Sequence, residues 1–341
     1  MAGITPSSDL RVGIVGAGAI AQVAHIPVLR KLRGVQLVGI CDSDGAKARA
    51  LATRFGVAGA YTDIEDLLEF GKVDAVAICT PNHLHEAHVV SALAAGAHVL
   101  VERPLALTSA GAAKALRAAE RYRRTLLSGM NFRFRPDVQA VQGFLAGGEL
   151  GTVSAVRAGW HVFRAARQQL GWRSRRQESG GGAMMDLGLA MLDLSLWITG
   201  GPAVERVTAR LERAKGAAAV DEAGSAYVQC ADGPDILVDA SWRHVGEGER
   251  TWLDVHGSKG SASISPLRVF KELHGSPADV TPTGAASREN AFTASYKFEW
   301  AYFLAALRGE TTAEPPEDQV HLLKVLEAIY RSADEQREVK L

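Results

Sequence analysis

The sequence predicts two domains: a doubly wound α/β domain over residues 1–131, and an α+β domain with an antiparallel sheet over residues 132–341. Three observations lead there. A chain of 341 residues is about two domains long. As far as residue 131, short apolar runs alternate with helical stretches. Beyond it, strand-like runs follow one another and the helices stand apart, which is the α+β pattern.

In the first domain the apolar runs are RVGIVG (11–16), QLVGICD (36–42), DAVAICT (74–80), HVLVE (98–102) and TLLSG (125–129). They are continuously apolar rather than alternating, so both faces of the sheet are covered and the strands run parallel. Helical stretches at 19–32, 44–56, 64–70, 85–96 and 109–122 supply that cover. In the second domain the strand-like runs are 152–163, 203–212, 225–232, 235–244, 251–258 and 261–266, interrupted by one helical stretch, AMMDLGLAMLDLSLWITG (183–200). Residues 273–290 are a Gly, Pro, Ser and Thr cluster without periodicity and read as a long loop. Amphipathic stretches at 299–309 and 317–336 close the chain as two helices, and the last can pack back on the first domain.

Composition removes several function classes. Hydrophobic residues make up 47% and charged residues 22%, the usage of a chain that buries a core of its own. Lys plus Arg and Asp plus Glu both number 38, so no net field gathers nucleic acid or an anionic membrane, and neither partner is expected. The start has no secretory pattern, no apolar run approaches a bilayer span, and the three cysteines show no metal-ligand spacing. A cytoplasmic protein in a reducing compartment is the expectation.

Gly16-Ala17-Gly18-Ala19-Ile20-Ala21 follows the first strand directly and opens a helix. Gly16 permits a tight turn, Gly18 lets the backbone approach a pyrophosphate, and Ala21 allows close helix-to-strand packing. The amides of that helix start, with Ala19 and Ile20, then face the phosphate charge. Asp42 ends the second strand, where a carboxylate bonds the adenine ribose hydroxyls and repels a 2′-phosphate. Ser43 and Asp44 add no arginine to pair with one. The cofactor expected is therefore NAD; the plainer alternative is that Asp42 and Asp44 only cap the next helix.

Four separated strings carry a resemblance: CTPNHLH (79–85), AGAHVLVERPLALT (95–108), GWRSRRQESGGGAMMDLG (171–188) and the segment from Glu299 to the end. Together, in that order, they resemble the Gfo/Idh/MocA oxidoreductase family. The resemblance implies a Rossmann domain followed by an α+β domain with a large, mostly antiparallel sheet. It implies NAD held also by Thr80, Pro81, Asn82, His85, Glu102 and Arg103, and a cis bond before Pro104. Substrate would lie between the domains on Arg103, Asn131, Trp172, Arg173, Asp186 and Ala190. Such enzymes transfer hydride to or from sugars, polyols, sugar acids or related carbonyl compounds, many as homodimers or homotetramers joined through the sheet.

Two residues depart from the family pattern. Arg103 stands where the family has lysine in Glu-Lys-Pro, and Ala190 stands at the histidine of D-x-G-x-H-x-x-D. A guanidinium stays protonated and cannot be a general base, yet it can clamp an oxygen and stabilise developing negative charge. Asp186, Ala190 and Asp193 fall at i, i+4 and i+7 on one helical face, which leaves Asp186 as the candidate base, against a plain role as a first-turn acid. His161 shares a strand face with Arg157 and Phe163 and is a second candidate proton carrier, as is His244; the alternative for both is structural. Arg164, Arg167, Arg173, Arg175 and Arg176 precede Ser179-Gly180-Gly181-Gly182 and suit an anionic substrate, or else form a solvated basic loop. Trp160 and Trp172 suit a sugar face or a core. No metal-ligand set is present in the sequence pattern. The reading is an NAD-dependent oxidoreductase for a sugar-like hydroxyl or carbonyl substrate, with an anionic substrate as one option alongside neutral ones. The alternatives are an NAD-retaining lyase or hydrolase with transient redox, and a non-catalytic NAD-binding sensor or partner subunit.

Overall fold

The computed structural model describes residues 9–164, 171–213, 220–283 and 290–341. Arg167 lies outside them. The chain divides into two compact units, Met1–Asn131 with Phe292–Val320, and Phe132–Ala291 with His321–Leu341.

The first unit carries a six-stranded parallel sheet in the order β3-β2-β1-β4-β5-β6. Its elements are β1 (Leu10–Val15), a π turn (Ala21–His25) running into α1 (Ile26–Leu29), β2 (Val35–Cys41), α2 (Gly45–Phe55), β3 (Gly59–Tyr61), α3 (Ile64–Gly71), β4 (Ala75–Ile78), α4 (Asn82–Ala94), β5 (His98–Glu102), α5 (Ser109–Tyr122) and β6 (Leu126–Gly129). This is the Rossmann order, and the strand order reverses between β1 and β4, where such sheets open a crevice at the strand ends. Side chains start the helices: Asp44 accepts from the Ala46 and Lys47 amides, Asp63 from Glu65, and Thr108 from Gly111. The three-residue β3 is too short to show a period in the sequence.

The helix α9 (Ala291–Leu307) falls almost wholly in this first unit, although it follows the residues of the second sheet in the chain. The expected boundary at 131 is corrected accordingly: residues 292–320 belong with the first unit. The reason is packing, since Tyr296, Trp300, Phe303 and Leu304 share a core with Ile14, Ile26, Leu29 and Ile40. Trp300 and Phe303 are fully buried, and a large apolar side chain so placed contributes roughly 1.5–3 kcal/mol.

The second unit holds a nine-stranded sheet ordered β14-β13-β12-β11-β7-β10-β9-β8-β15. Its elements are α6 (Pro136–Ala146), β7 (Val153–His161), α7 (Arg176–Ser179), a π turn (Met184–Gly188) running into α8 (Leu189–Ile198), β8 (Val204–Arg213), β9 (Asp221–Cys230), β10 (Asp235–Ser241), β11 (Arg250–Gly257), β12 (Gly260–Ile264), β13 (Arg268–Leu273), β14 (Ser276–Asp279) and β15 (Val339–Lys340). The helix α10 (Asp318–Glu335) contributes from His321 onward. Pairing is antiparallel except between β7 and β10. The segment 273–290 is not one long loop. Leu273 pairs with Ser276 across a two-residue turn in which His274 (φ 53°) and Gly275 (φ 78°) are both left-handed. Pro277 fits there because β14 is an edge strand and needs no further donor. The helical stretch Arg176–Ile198 is long and apolar enough to cross a membrane, yet 89% of its apolar window is buried inside the protein, as for a core helix.

Candidate active site

The glycine turn after β1 is sterically determined. Gly16 has φ +96°, and a Cβ there would stand 2.6 Å from the Cys79 carbonyl carbon and oxygen, so no other residue fits. At Gly18 a Cβ would meet only the Cys79 oxygen, at 3.9 Å, which leaves a backbone cradle open to a ligand. Ala21 is fully buried, and no side chain caps the π turn that begins there. Asp42, at the end of β2, accepts from the Ala17 amide (2.8 Å), the Asp44 amide (3.0 Å) and the Lys47 ammonium (3.0 Å). Burial pushes its pKa up, but the Lys47 bond and the two amides outweigh burial and hold it below the ordinary value.

Asn82 opens α4 and is buried, with Pro81 before it and Thr80 bonded to half-buried His88 (3.1 Å). His85 corrects an expectation. Its Nδ1 lies 2.6 Å from the Pro104 carbonyl oxygen and its Nε2 2.9 Å from that of Thr80. With both nitrogens on backbone and 1% exposure, it braces the turn at Thr80 against the cis Arg103–Pro104 bond and has no atom left for a cofactor. Burial lowers its pKa, against the pull of those two carbonyls.

Glu102 ends β5 inside a buried network that the sequence did not suggest. The Trp300 indole N–H donates to His25 Nδ1 (3.0 Å), so the ring carries its proton on Nε2 and donates it to Glu102 Oε1 (2.9 Å). The Tyr296 hydroxyl donates to the same oxygen (3.0 Å). Burial raises the Glu102 pKa, but His25, Arg103 and Tyr296 outweigh it, and the carboxylate stays charged. Arg103 sits 3.8 Å from the other oxygen with its side chain 15% exposed. One turn from Tyr296, Glu299 is fully buried with no hydrogen-bond partner on either oxygen among the described residues; burial first and the Glu102 charge second push its pKa up to about 8. Asn131 donates to Ser295 Oγ (2.9 Å), and its buried Oδ1 has no hydrogen-bond partner among the described residues.

In the second unit, Asp186 is occupied. Its Oδ2 accepts from Arg164 (2.7 Å) and from the Trp242 indole N–H (3.0 Å), and Arg173 lies 3.5 Å from Oδ1. Arg164 stacks on Trp242 and Arg173 on Trp172. Asp186 is thus paired with two guanidiniums and an indole, with both hydrogen bonds on Oδ2 and only the longer Arg173 contact on Oδ1. Asp193, a turn and more along, is buried and bound in a fork by Arg133, and Ala190 between them is buried. Asp221 fixes the start of this helix: its carboxylate accepts from the Gly182 amide (2.7 Å), the Met184 amide (2.7 Å) and the Tyr330 hydroxyl (2.9 Å).

His161 does not join this group, and its expected catalytic role is corrected. Alternation along β7 turns buried Val156 and Ala158 to one face and Arg157, Gly159 and His161 to the other. On β10 the face of Ala240 packs against Gly188, next to the Asp186 turn, whereas His161 packs edge-on to Trp252 (4.8 Å) and near His244 (5.5 Å). Asp186 and His161 are thus on opposite faces of the sheet. Trp160 bonds Glu249 and packs on Phe132. Arg175 pairs with Glu178, and Arg176 lies 3.8 Å from Asp334, so neither adds to the Asp186 group.

Residues 10–130 match the model of an oxidoreductase family with an NAD-binding Rossmann fold, GFO_IDH_MocA, and residues 138–263 match that family's C-terminal domain. An uncharacterised oxidoreductase of Synechocystis sp. is 30% identical over 84% of this chain and 80% of its own. The chain belongs to the Gfo/Idh/MocA oxidoreductase family. A D-glucoside 3-dehydrogenase of Escherichia coli is 34% identical to this Gfo/Idh/MocA chain over 60% of its length; the match spans 58% of that relative. A crystal structure of GenD2 from gentamicin A biosynthesis, in complex with NAD, has 29% identity and a TM-score of 0.83, covering 99% of this chain and 98% of that one. This family member is an NAD-dependent oxidoreductase. Its turn at Gly16, the open cradle at Gly18 and the Asp42 carboxylate fit the dinucleotide.

Proposed function

We propose that the protein transfers hydride between NAD and a sugar-like substrate that carries a negative charge. The observation that carries the charge is the Asp186 group: two guanidiniums share one carboxylate, leaving one positive charge in excess. Arg164 Nε is buried there with no acceptor among the described residues. Two stacked indoles beside those cations suit the apolar face of a pyranose. The similarity to a D-glucoside 3-dehydrogenase supports the sugar class.

In this reading Gly16, Gly18, Ala19, Ile20, Asp42, Thr80, Pro81 and Asn82 hold NAD, which accepts or gives the hydride. Glu102 fixes Arg103. Arg103 stabilises negative charge on the reacting oxygen and moves no proton, because its guanidinium remains charged; the proton of the substrate hydroxyl passes to or from water. Asn131 offers its Oδ1 to a substrate hydroxyl. Asp186 orients Arg164 and Arg173 on the acid group, with Trp172 beside them. The chain acts as a cytoplasmic homodimer or homotetramer; its three free cysteines suit a reducing compartment.

The test is NADH formation with aldonic and uronic acids set against the corresponding neutral sugars. Arg164→Ala should raise KM for the acids about 10–100-fold, the worth of one charged hydrogen bond, and leave neutral sugars unaffected. Equal kcat/KM for acids and neutral sugars would remove the anionic part of the reading.

A further inference from the structure

The first unit contains a second cavity, of about 520 Å³, walled by the end of α5, the start of β6 and the segment 313–317. The strands of this sheet run parallel, so Gly16, Asp42, Asn82 and Glu102 gather at their carboxyl ends. Thr125 and Leu126 line the cavity from the opposite end, where β6 begins. A ligand held there is separate from the dinucleotide crevice.

The walls are charged. Arg117, Glu120, Arg123 and Arg124 line the cavity from the α5 end, and Glu317 lines it from beyond Pro315 and Pro316. Glu120 stands three residues after Arg117 and four before Arg124, spacings that favour ion pairs on a helix, yet it pairs with neither. Among the described residues the side chains of Arg117, Arg123, Glu120 and Glu317 make no hydrogen bond or ion pair. Arg124 is fixed by the chain: its Nε donates to the Gly96 carbonyl oxygen and its Nη1 to that of Arg123, which leaves Nη2 to spare. The helix end presents no bare carbonyl to an anion at Ala119 or Glu120, because those oxygens accept from the Arg124 and Arg123 amides (both 3.1 Å). Three guanidiniums against two carboxylates leave one positive charge in excess, in a space of ligand size. A phosphate monoester offers its three terminal oxygens to guanidiniums at three points of the wall, whereas a planar carboxylate engages one fork. The two carboxylates accept from hydroxyls on the same ligand.

We infer that this cavity is a binding site for a small polyol phosphate, apart from the cofactor and from hydride transfer. Isothermal titration of the full-length protein saturated with NAD tests it, with glycerol 3-phosphate, inorganic phosphate and glycerol as titrants. Glycerol 3-phosphate should bind with a dissociation constant at or below about 1 mM, inorganic phosphate at least about threefold more weakly, and glycerol not at all. Arg123 holds a left-handed backbone (φ 53°) that glycine adopts freely, so Arg123→Gly removes the guanidinium without strain. That variant and Arg117→Ala should each weaken glycerol 3-phosphate about tenfold, the effect of one charged contact. The same titrations on Arg164→Ala separate this cavity from the anion site proposed in the second unit: the heat that survives there belongs to the cavity. No surviving heat up to about 10 mM, or surviving heat that neither Arg117→Ala nor Arg123→Gly diminishes, overturns the inference. Inorganic phosphate binding as tightly as glycerol 3-phosphate overturns it too, since Glu120 and Glu317 would then hold no hydroxyl.

Discussion

Asp221→Asn isolates what one buried carboxylate does for the helix that carries Asp186. The wild-type side chain receives three donors, the amides of Gly182 and Met184 on separate oxygens and the Tyr330 hydroxyl, and it is 1% exposed. An asparagine keeps the shape but replaces one oxygen with a donor, so one of the two amides must face an NH₂. The variant loses one charge-assisted bond and strands a buried N–H, at about 2–4 kcal/mol. Five of the six tryptophans lie in the second unit, so urea unfolding followed by indole fluorescence reports mainly there. The midpoint should fall with little change in slope. Tyr330→Phe alone should cost about 1 kcal/mol, and the double variant should cost less than the sum, because the two residues share a bond. A loss under about 0.5 kcal/mol for Asp221→Asn would refute the reasoning, since no buried amide could then have been stranded.

Glu299 gives a pH signature. Its pKa, raised by burial to about 8 from an ordinary 4.5, means the folded chain holds a proton that the unfolded chain has lost between those values. Its contribution to stability is therefore complete below about pH 4.5 and is lost as pH rises through about 8, a span of roughly 3–5 kcal/mol. Glu299→Gln should flatten that part of the stability profile, and an unchanged slope in chemical denaturation between pH 5 and 8 would contradict it. Arg103→Ala should lower kcat/KM about 10²–10³-fold while NAD affinity by calorimetry stays within about threefold; unchanged turnover would take Arg103 away from the reacting oxygen.

The first sheet was legible because buried parallel strands advertise themselves as continuous apolar runs, and the glycine turn because its spacing reflects a clash that only Gly16 avoids. What escaped was set by contacts distant in sequence. Nothing near Glu102 announces that His25, Tyr296 and Trp300 converge on it, although the buried pair Glu299-Trp300 in an apolar helix is a usable signal of a polar network. Asp186 read as a free acid because arginines 22 and 13 residues before it share no helical spacing with it. Period two did place His161, but only strand pairing shows that its face is the other one. The β13–β14 hairpin was missed because its turn uses His274 in a left-handed conformation usually taken by asparagine or glycine.

The return of α9 to the first unit has a consequence during synthesis. A ribosome has to deliver some three hundred residues before Trp300 can reach His25, so the amino-terminal sheet waits, incompletely covered, while the whole of the second sheet is translated. A fragment ending at residue 131 would display the groove meant for Tyr296, Trp300 and Phe303 and leave Glu102 short of the Tyr296 hydroxyl. Joining residues 292–320 to it through a short linker should restore solubility that the shorter piece lacks.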